Sequence, residues 1–388
     1  MISKIIDPSV AITTEHPSVK TIYCTGTPYE IGLTHGTIAA PEIHNNIATY
    51  TFFFKETAKI TWAEARERAA SQFVPTLQVK YPEILEEMRG IAEGAGKGLV
   101  MQDILTLNVR SEIALTNYSD GCTCISQSNP LTSSVFLGQN WDWLEELHQG
   151  IIFLHIVPLT SLTNLTKPKE MKFLSEAGIV GKIGVNSSGL GLCMNALRSG
   201  SLKKSNFPVH IMSRRLLEYA TTFDSALEII ELFGLASTTN YMIADKSGKY
   251  GDIECSPLGN VVIPPLAPAK GVGPYVAHTN HLYASDRPKH LKDHPSQNSF
   301  DRLERMRELT EADARNGKVP TFDSIRARLS DQVGTPYSIC RDRPKGAVGM
   351  ERMTTLSTVI IELGSEEVRV KATIGRPCDD LPVVEWAL

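Results

Sequence analysis

The chain has 388 residues, enough for a large buried core, and its 42% hydrophobic and 21% charged residues exclude a disordered or fibrous protein. A net charge of −4 gives no general attraction to nucleic acid or to an anionic membrane, so neither is expected as a partner. No apolar run approaches the roughly eighteen residues that span a bilayer, and the opening MISKIIDPSVAITTEHPS lacks the apolar stretch of a secretory leader. Seven cysteines, an odd number spread thinly, fit buried small side chains in a reducing compartment better than a disulfide framework. The closing Trp386-Ala387-Leu388 keeps only the final leucine of a peroxisomal address, so a cytoplasmic protein is expected.

The first third reads as helical. Thr61-Trp62-Ala63-Glu64 fits a capping box, in which the threonine side chain caps first-turn backbone donors while Glu64 reaches back. Residues 63–98 carry apolar side chains at helical spacing, with Pro75 and Pro82 expected to break the run and glycines from Gly94 onward to stop it. MQDILTLNVRSEIAL continues helically to the polar segment 116–121. After it the pattern changes. CTCISQ and SVFLGQNWDW read as two strands around a turn at Asn129-Pro130. IIFLHIVPL and KFLSEAG follow as strands, and GKIGVNSSGLGLCMNAL as a hairpin turning at Ser187-Ser188-Gly189.

Two helices, PVHIMSRRLLEYA and FDSALEIIELFG, precede a meander of strands over NYMIADKSGKYGDIECSPLGNVVI. PPLAPAKGVGP is a loop. SFDRLERMRELTEADARNG is an amphipathic helix whose charges are expected to form a solvated face, and STVIIELGSEEVRVKATIG closes as a hairpin. Helices flanking a mainly antiparallel sheet system, with no repeat and no long linker, give a layered α+β class in one domain over 1–388.

Cys122 heads a predicted strand and follows a polar loop ending in Gly121. Glycine there suits a strained turn and leaves its carbonyl open to the neighbouring thiol. An N-to-S acyl shift followed by hydrolysis would leave Cys122 at a new N-terminus. Its α-amine, with a reference pKa of about 8, can take the thiol proton. Two other readings stand beside this one. Cys122 is also explained as a buried, inert thiol, or as half of a zinc site pairing Cys122 and Cys124 with His278 and His281. The sequence has neither a G-x-S-x-G elbow nor a phosphate-binding glycine loop.

Nine segments in order resemble acyl-coenzyme A:isopenicillin N acyltransferases of filamentous fungi, the C45 group of N-terminal-nucleophile hydrolases. They are GTPYEIGLTHG (26–36), YPEILEEMRGIAEGAG (81–96), LNVRSE (107–112), DGCT (120–123), GQNWDW (138–143), SEAGIVGKIGVNSSGLG (175–191), HTNH (278–281), PYSICR (336–341) and IGRP (374–377). The resemblance implies a four-layer αββα sandwich and self-cleavage between Gly121 and Cys122. Small chain 1–121 and large chain 122–388 would stay associated, and Cys122 would carry an acyl-enzyme. It further implies Asp142 as an acidic residue orienting the new ammonium or a substrate group, Asn280 as the oxyanion-hole amide and Arg352 as a site arginine. On the residues alone, Asp142 is equally a turn aspartate, Asn280 a loop asparagine and Arg352 a surface cation. Ser256 matches a family serine on the substrate side, which a Ser-Pro turn explains as well. His278 and His281 receive no catalytic role.

The departures are local. Glu351 stands where the penicillin-forming enzymes have a serine before the arginine, Met353 replaces the glycine after it, and Cys124 replaces a threonine. These argue against penicillin synthesis itself, and a carboxylate at 351 is placed to pair with Arg352. The expected activity is transfer of an acyl group from Cys122 to the amine of a small amino-acid- or peptide-derived acceptor. No cofactor or metal is implied, and acyl-coenzyme A serves as co-substrate. Two alternatives are kept: an amide hydrolase using the same nucleophile, and an inactive relative that serves as a binding protein.

Overall fold

A computed structural model describes residues 19–114, 121–159, 169–268 and 273–388. The chain opens with β1 (Lys20–Gly26), a strand that the helical reading of the first third missed. Helices α1 (Pro28–Ile38), α2 (Ala40–Thr57), α3 (Trp62–Lys80), α4 (Pro82–Ala95), α5 (Met101–Asn108) and α6 (Arg110–Ile113) follow. The Thr61 capping box is formed: its side chain accepts from the backbone of Glu64, and the Glu64 carboxylate takes the Thr61 N–H at 2.7 Å. Pro82 starts α4 as expected, but Pro75 lies inside α3 without ending it. The carbonyl that its ring leaves without a donor is that of exposed Ser71, open to water, while Phe73 and Leu77 on the other face are wholly buried.

Strands β2 (Gly121–Ser128), β3 (Val135–Leu144), β4 (Ile151–Pro158), β5 (Met171–Glu176), β6 (Ile183–Asn186) and β7 (Leu190–Ala196) come next, then α7 (Val209–Tyr219) and α8 (Phe223–Phe233). After them run β8 (Thr239–Asp245), β9 (Tyr250–Ser256), β10 (Gly259–Ile263) and β11 (Tyr275–His278). The last elements are α9 (Gln297–Arg315), α10 (Phe322–Leu329), β12 (Met353–Leu363), β13 (Val368–Ile374) and β14 (Val383–Ala387). One sheet orders its strands β1-β4-β5-β6-β7-β8-β9-β10 and the other β11-β2-β3-β12-β13-β14. Pairing is antiparallel except for β1 with β4.

The two sheets face each other through β2 and β3 against β7 and β8. Helices α1 and α7 cover the outside of the larger sheet, and α9 and α10 cover the smaller. The fold is therefore the four-layer αββα sandwich. Between the layers the strands are buried on both faces: all ten residues of β3 and seven of the eight in β2 are buried. Six of the seven cysteines are buried, Cys378 being the half-exposed one. Among the described residues no helix is long and apolar enough to cross a membrane.

Four glycines explain why two motifs of the first third are glycine-rich. Helices α1 and α4 meet at backbone distance: a Cβ on Gly32 would lie 1.9 Å from the Glu87 carbonyl oxygen, and one on Gly36 2.1 Å from that of Ile91. From the other side, Gly90 and Gly94 would meet the carbonyls of Tyr29 and Leu33 at 2.2 and 2.5 Å. Spacing of four on each helix puts the pairs on facing stripes. Gly32→Ala should therefore lower stability by about 1–3 kcal/mol through overpacking, despite a helix-propensity gain of about 1 kcal/mol. A lower midpoint in urea unfolding checks it, and an unchanged one would show that the helices can part without loss.

Candidate active site

Strand register places the site. β2 runs antiparallel to β3 with Gly121 opposite Asp142 and Cys122 opposite Trp141. Opposed residues share a face, so Cys122 and Trp141 open on one cavity while the Asp142 carboxylate lies against Gly121. A Cβ on Gly121 would sit 2.8 Å from Oδ2 of Asp142 and 3.2 Å from Nη1 of Arg341. Its φ is outside the left-handed region. Glycine is required here by space, not by the strained turn that the sequence suggested.

Cys122 is buried and gripped through its backbone. Its N–H donates to Oδ1 of Asn280 at 2.8 Å, and its carbonyl accepts from Nη1 of Arg302 at 2.5 Å. The same guanidinium donates to Thr123 Oγ1 at 3.0 Å and to Asn280 Oδ1 at 2.9 Å. One amide oxygen thus joins the cysteine backbone to a buried cation. Nδ2 of Asn280 donates to the Ala196 carbonyl at 3.0 Å, and the Asn280 N–H to Ser299 Oγ at 2.8 Å.

The segment carrying Asn280 is anchored across the sandwich. Glu254 on β9 takes Nε2 of His278 at 3.2 Å and the N–H of Tyr283 at 2.7 Å. Burial lowers the His278 pKa, but the nearby Asp252 charge and this Glu254 contact outweigh it and hold the ring above its ordinary value. His281, bonded through Nδ1 to Ser299 Oγ at 2.8 Å, is pushed down to about 4 by burial and by the charges of His278 and Arg302. Among the described residues no group of three or more His, Cys, Asp or Glu is arranged to hold a metal.

Asp142 lies within β3, not in a turn, and is fully buried. Oδ1 accepts from Thr355 Oγ1 at 2.6 Å, and Oδ2 has no hydrogen-bond partner among the described residues. Burial pushes its carboxyl up to about 6, against the pull of Arg302, Arg341 and the Thr355 hydroxyl.

Arg352, expected as a site arginine, lies outside this cluster. Arg352 is partly exposed and pairs with Glu146 at 2.8 Å and Glu145 at 3.4 Å. These two carboxylates already hold it, so Glu351, exposed on a 3-10 turn, is not needed as its partner. Ser256 closes the β9–β10 hairpin, donating to the Gly259 carbonyl at 2.8 Å and accepting the Leu258 N–H at 3.2 Å. The structure thus brings together Cys122, Asp142 and Asn280, and leaves Ser256, Glu351 and Arg352 outside that cluster. Two arginines not singled out from the sequence, Arg302 and Arg341, lie beside Cys122 and Asp142 instead. Arg302 is on the helix whose charges were expected to be solvated, yet its side chain is 2% exposed. Its position beside Leu303 and Met306 on the buried stripe was the available signal.

A cavity opens beside Cys122, walled by Trp141, Lys182, Arg110, Met194 and Leu197 among others.

With this geometry in view, the profile of the family described as acyl-coenzyme A:6-aminopenicillanic acid acyl-transferase matches residues 129–377. The acyl-coenzyme A:6-aminopenicillanic-acid-acyltransferase 40 kDa form of Emericella nidulans is 30% identical over 358 residues, 92% of each chain. Among solved structures, a variant of the conjugated bile acid hydrolase from Clostridium perfringens is similar over 69% of this chain and 97% of its own, at 13% identity and a TM-score of 0.44. Penicillin V acylase from Agrobacterium tumefaciens is similar over 65% of this chain and 83% of its own, at 12% identity and a TM-score of 0.39.

The raised pKa of Asp142 fixes a sign. Between 3.8 and about 6 the folded chain holds a proton that the unfolded chain has lost. Stability from this group is therefore complete below 3.8 and lost as pH rises through about 6. Asp142→Asn, made in a Cys122→Ala background that keeps residues 121 and 122 joined, should match its parent at pH 3.5 and exceed it by about 2–3 kcal/mol at pH 7.5. Urea unfolding at both pH values measures the difference, and equal curves at pH 7.5 would show that the two guanidiniums fully offset the burial.

Proposed function

Because the chain belongs to the acyl-coenzyme A:6-aminopenicillanic acid acyl-transferase family, an enzyme group of the isopenicillin N acyltransferase type, we propose that Cys122 is its nucleophile, freed when the chain cuts its own Gly121–Cys122 bond. The observation that carries this reading is the setting of that peptide bond. Its nitrogen is held by Asn280, its glycine lies against the Asp142 carboxylate, and the thiol stands at a cavity wall.

In the uncut chain, Sγ of Cys122 attacks the Gly121 carbonyl carbon. The C–N bond breaks, the Cys122 nitrogen takes the thiol proton, and a thioester joins the two parts. Water cleaves it, leaving a carboxylate on Gly121 and an α-amine and free thiol on Cys122. The amine inherits the Asn280 Oδ1 contact and faces Asp142, whose carboxylate orients it and stabilises the ammonium it becomes on taking the thiol proton.

In turnover that amine takes the thiol proton as Sγ attacks the donor carbonyl. Asn280 Nδ2 has two hydrogens, and the one not directed at Ala196 is available to the tetrahedral oxygen. Collapse expels the donor's thiol, reprotonated by the ammonium, and leaves an acyl-Cys122 thioester. An acceptor amine then attacks that thioester and restores the thiol. The relative's name, with acyl-coenzyme A as donor and an amino acid derivative as acceptor, favours transfer over hydrolysis. Arg302 acts by holding the Cys122 carbonyl and Asn280 in place. No step uses a metal or a cofactor.

Intact-mass measurement should find fragments of about 13 and 29 kDa, scaled from chain length, in place of one 42.7 kDa chain. Cys122→Ala should stay whole and inactive. Efficient cutting in that variant would end the self-processing account, and an uncut, inactive wild type would favour a binding protein. Acyl transfer with and without an amine acceptor then ranks the residues. Asn280→Ala should lower kcat/KM by about two orders of magnitude, and Arg302→Leu by about 10- to 100-fold through lost charge-assisted hydrogen bonds. Arg352→Ala should stay within about twofold, as for an exposed ion pair. The reverse ranking would return the site arginine to position 352.

A further inference from the structure

The cavity beside Cys122 is charged unevenly. Arg110 and Lys182 stand in its wall, whereas the carboxylates that face them stand behind it. Glu176 accepts from Arg110 Nη2 at 2.7 Å, from Lys182 Nζ at 2.8 Å and from the Tyr50 hydroxyl. Glu112 directs Oε1 at the Val209 N–H, 2.9 Å away, and at Ser237 Oγ, 2.8 Å away. Neither carboxylate is part of the wall. Among the described residues, then, the wall carries cations and no carboxylate.

Two further observations give the field its sign and its place. His210 lines the same cavity, and beyond burial the influences that hold its ring neutral are the charges of Arg110 and Lys182. The Lys182 ammonium lies 3.1 Å above the centroid of the Trp141 ring, and Trp141 is the residue directly opposite Cys122 in the sheet. That stacking fixes the cation on the face that carries the thiol. Ser199 and Thr238 add hydroxyls to the wall, and Met194 and Leu197 make another part of it apolar.

We propose that this cavity is a carboxylate-recognition subsite: it takes a substrate whose carboxylate seats against Lys182 and Arg110, whose apolar body lies on Met194 and Leu197, and whose reacting carbon is delivered to Cys122. This rests on the acyl-transfer reading of Cys122 for its reaction, but not for its binding. Charge-assisted hydrogen bonds from cations as buried as Arg110 and Lys182 discriminate a carboxylate from its neutral isostere by about 10- to 100-fold. Glu176 keeps Arg110 and Tyr50 when Lys182 is changed, so the position tolerates a test.

The experiment compares N-hexanoyl-valine with its carboxamide on the full chain as purified. For turnover, the acid should show at least a tenfold higher kcat/KM, carried by KM. In Lys182→Gln the ratio should fall toward one, and in Lys182→Arg most of it should return. Independently of turnover, the acid should protect the Cys122 thiol from iodoacetamide at concentrations where the carboxamide does not. Equal protection by both, or equal kcat/KM, overturns the proposal even if Lys182→Gln fails to fold. Mass spectrometry separates the two layers of the argument. Protection by the acid with no acyl adduct on Cys122 from either compound sinks the acyl-enzyme and leaves the subsite standing. Adducts formed alike from both do the reverse.

Discussion

One pairing governs the site: β2 against β3, with Gly121 on Asp142 and Cys122 on Trp141. A slip of one residue would turn Cys122 to the opposite face and bring a side chain other than glycine against the carboxylate. The register is protected by burial on both sides of both strands and by β12, whose Thr355 pairs with Asp142. Between Thr355 and Ser357 that ladder shifts by one residue. The irregularity falls where the Thr355 hydroxyl serves two partners, donating to Asp142 Oδ1 and accepting the Arg341 N–H at 2.9 Å. Bulges of this kind re-aim side chains beside functional sites, and here one links the carboxylate to the segment bearing Arg341.

The charges around that pairing are balanced by hydrogen bonds more than by Coulomb attraction. Two buried guanidiniums, Arg302 and Arg341, flank one buried carboxylate, yet the carboxyl is still pushed up to about 6 and Arg302 is still held below its ordinary range. Desolvation is first in both cases and attraction only partly offsets it. Arg302 remains buried because its two terminal nitrogens reach Cys122, Thr123, Asn280 and Asn298. Such a cation orients its neighbours firmly while adding little net stability.

How much of this was legible in the sequence depended on whether the signal was local. The Thr61 capping box, the Ser187-Ser188-Gly189 hairpin and the strands around Asn129-Pro130 are fixed within a few residues of chain, and the structure has each. β1 was missed although Ile22 to Gly26 alternate buried and exposed, because the segment is short and its pairing partner β4 lies some 130 residues on. Arg302 was missed because a charged residue in a charged helix looks solvated unless the partner surface is known. Arg352 was singled out for the opposite reason. The resemblance supplied a role, but Glu145 and Glu146, brought alongside by the end of β3, bind its guanidinium at the surface. The tight α1–α4 contact was written in plain view as paired glycines at spacing four. Their meaning needed the second helix.

Among the described residues, the buried contacts between the part before Cys122 and the rest of the chain run mainly across the layers. Glu87 on α4 pairs with Arg214 on α7 at 2.7 Å, both nearly fully buried. Arg110 reaches Glu176, the Tyr50 and Tyr81 hydroxyls reach Glu176 and Glu218, and Asn108 bonds Gly178 and Val180. Strand β1 adds seven parallel residue pairs with β4. Separating the parts would expose to water the apolar faces of α1 to α5 that are buried in the intact fold. The described first third is thus held to the rest by side chains and sheet as well as by the covalent chain.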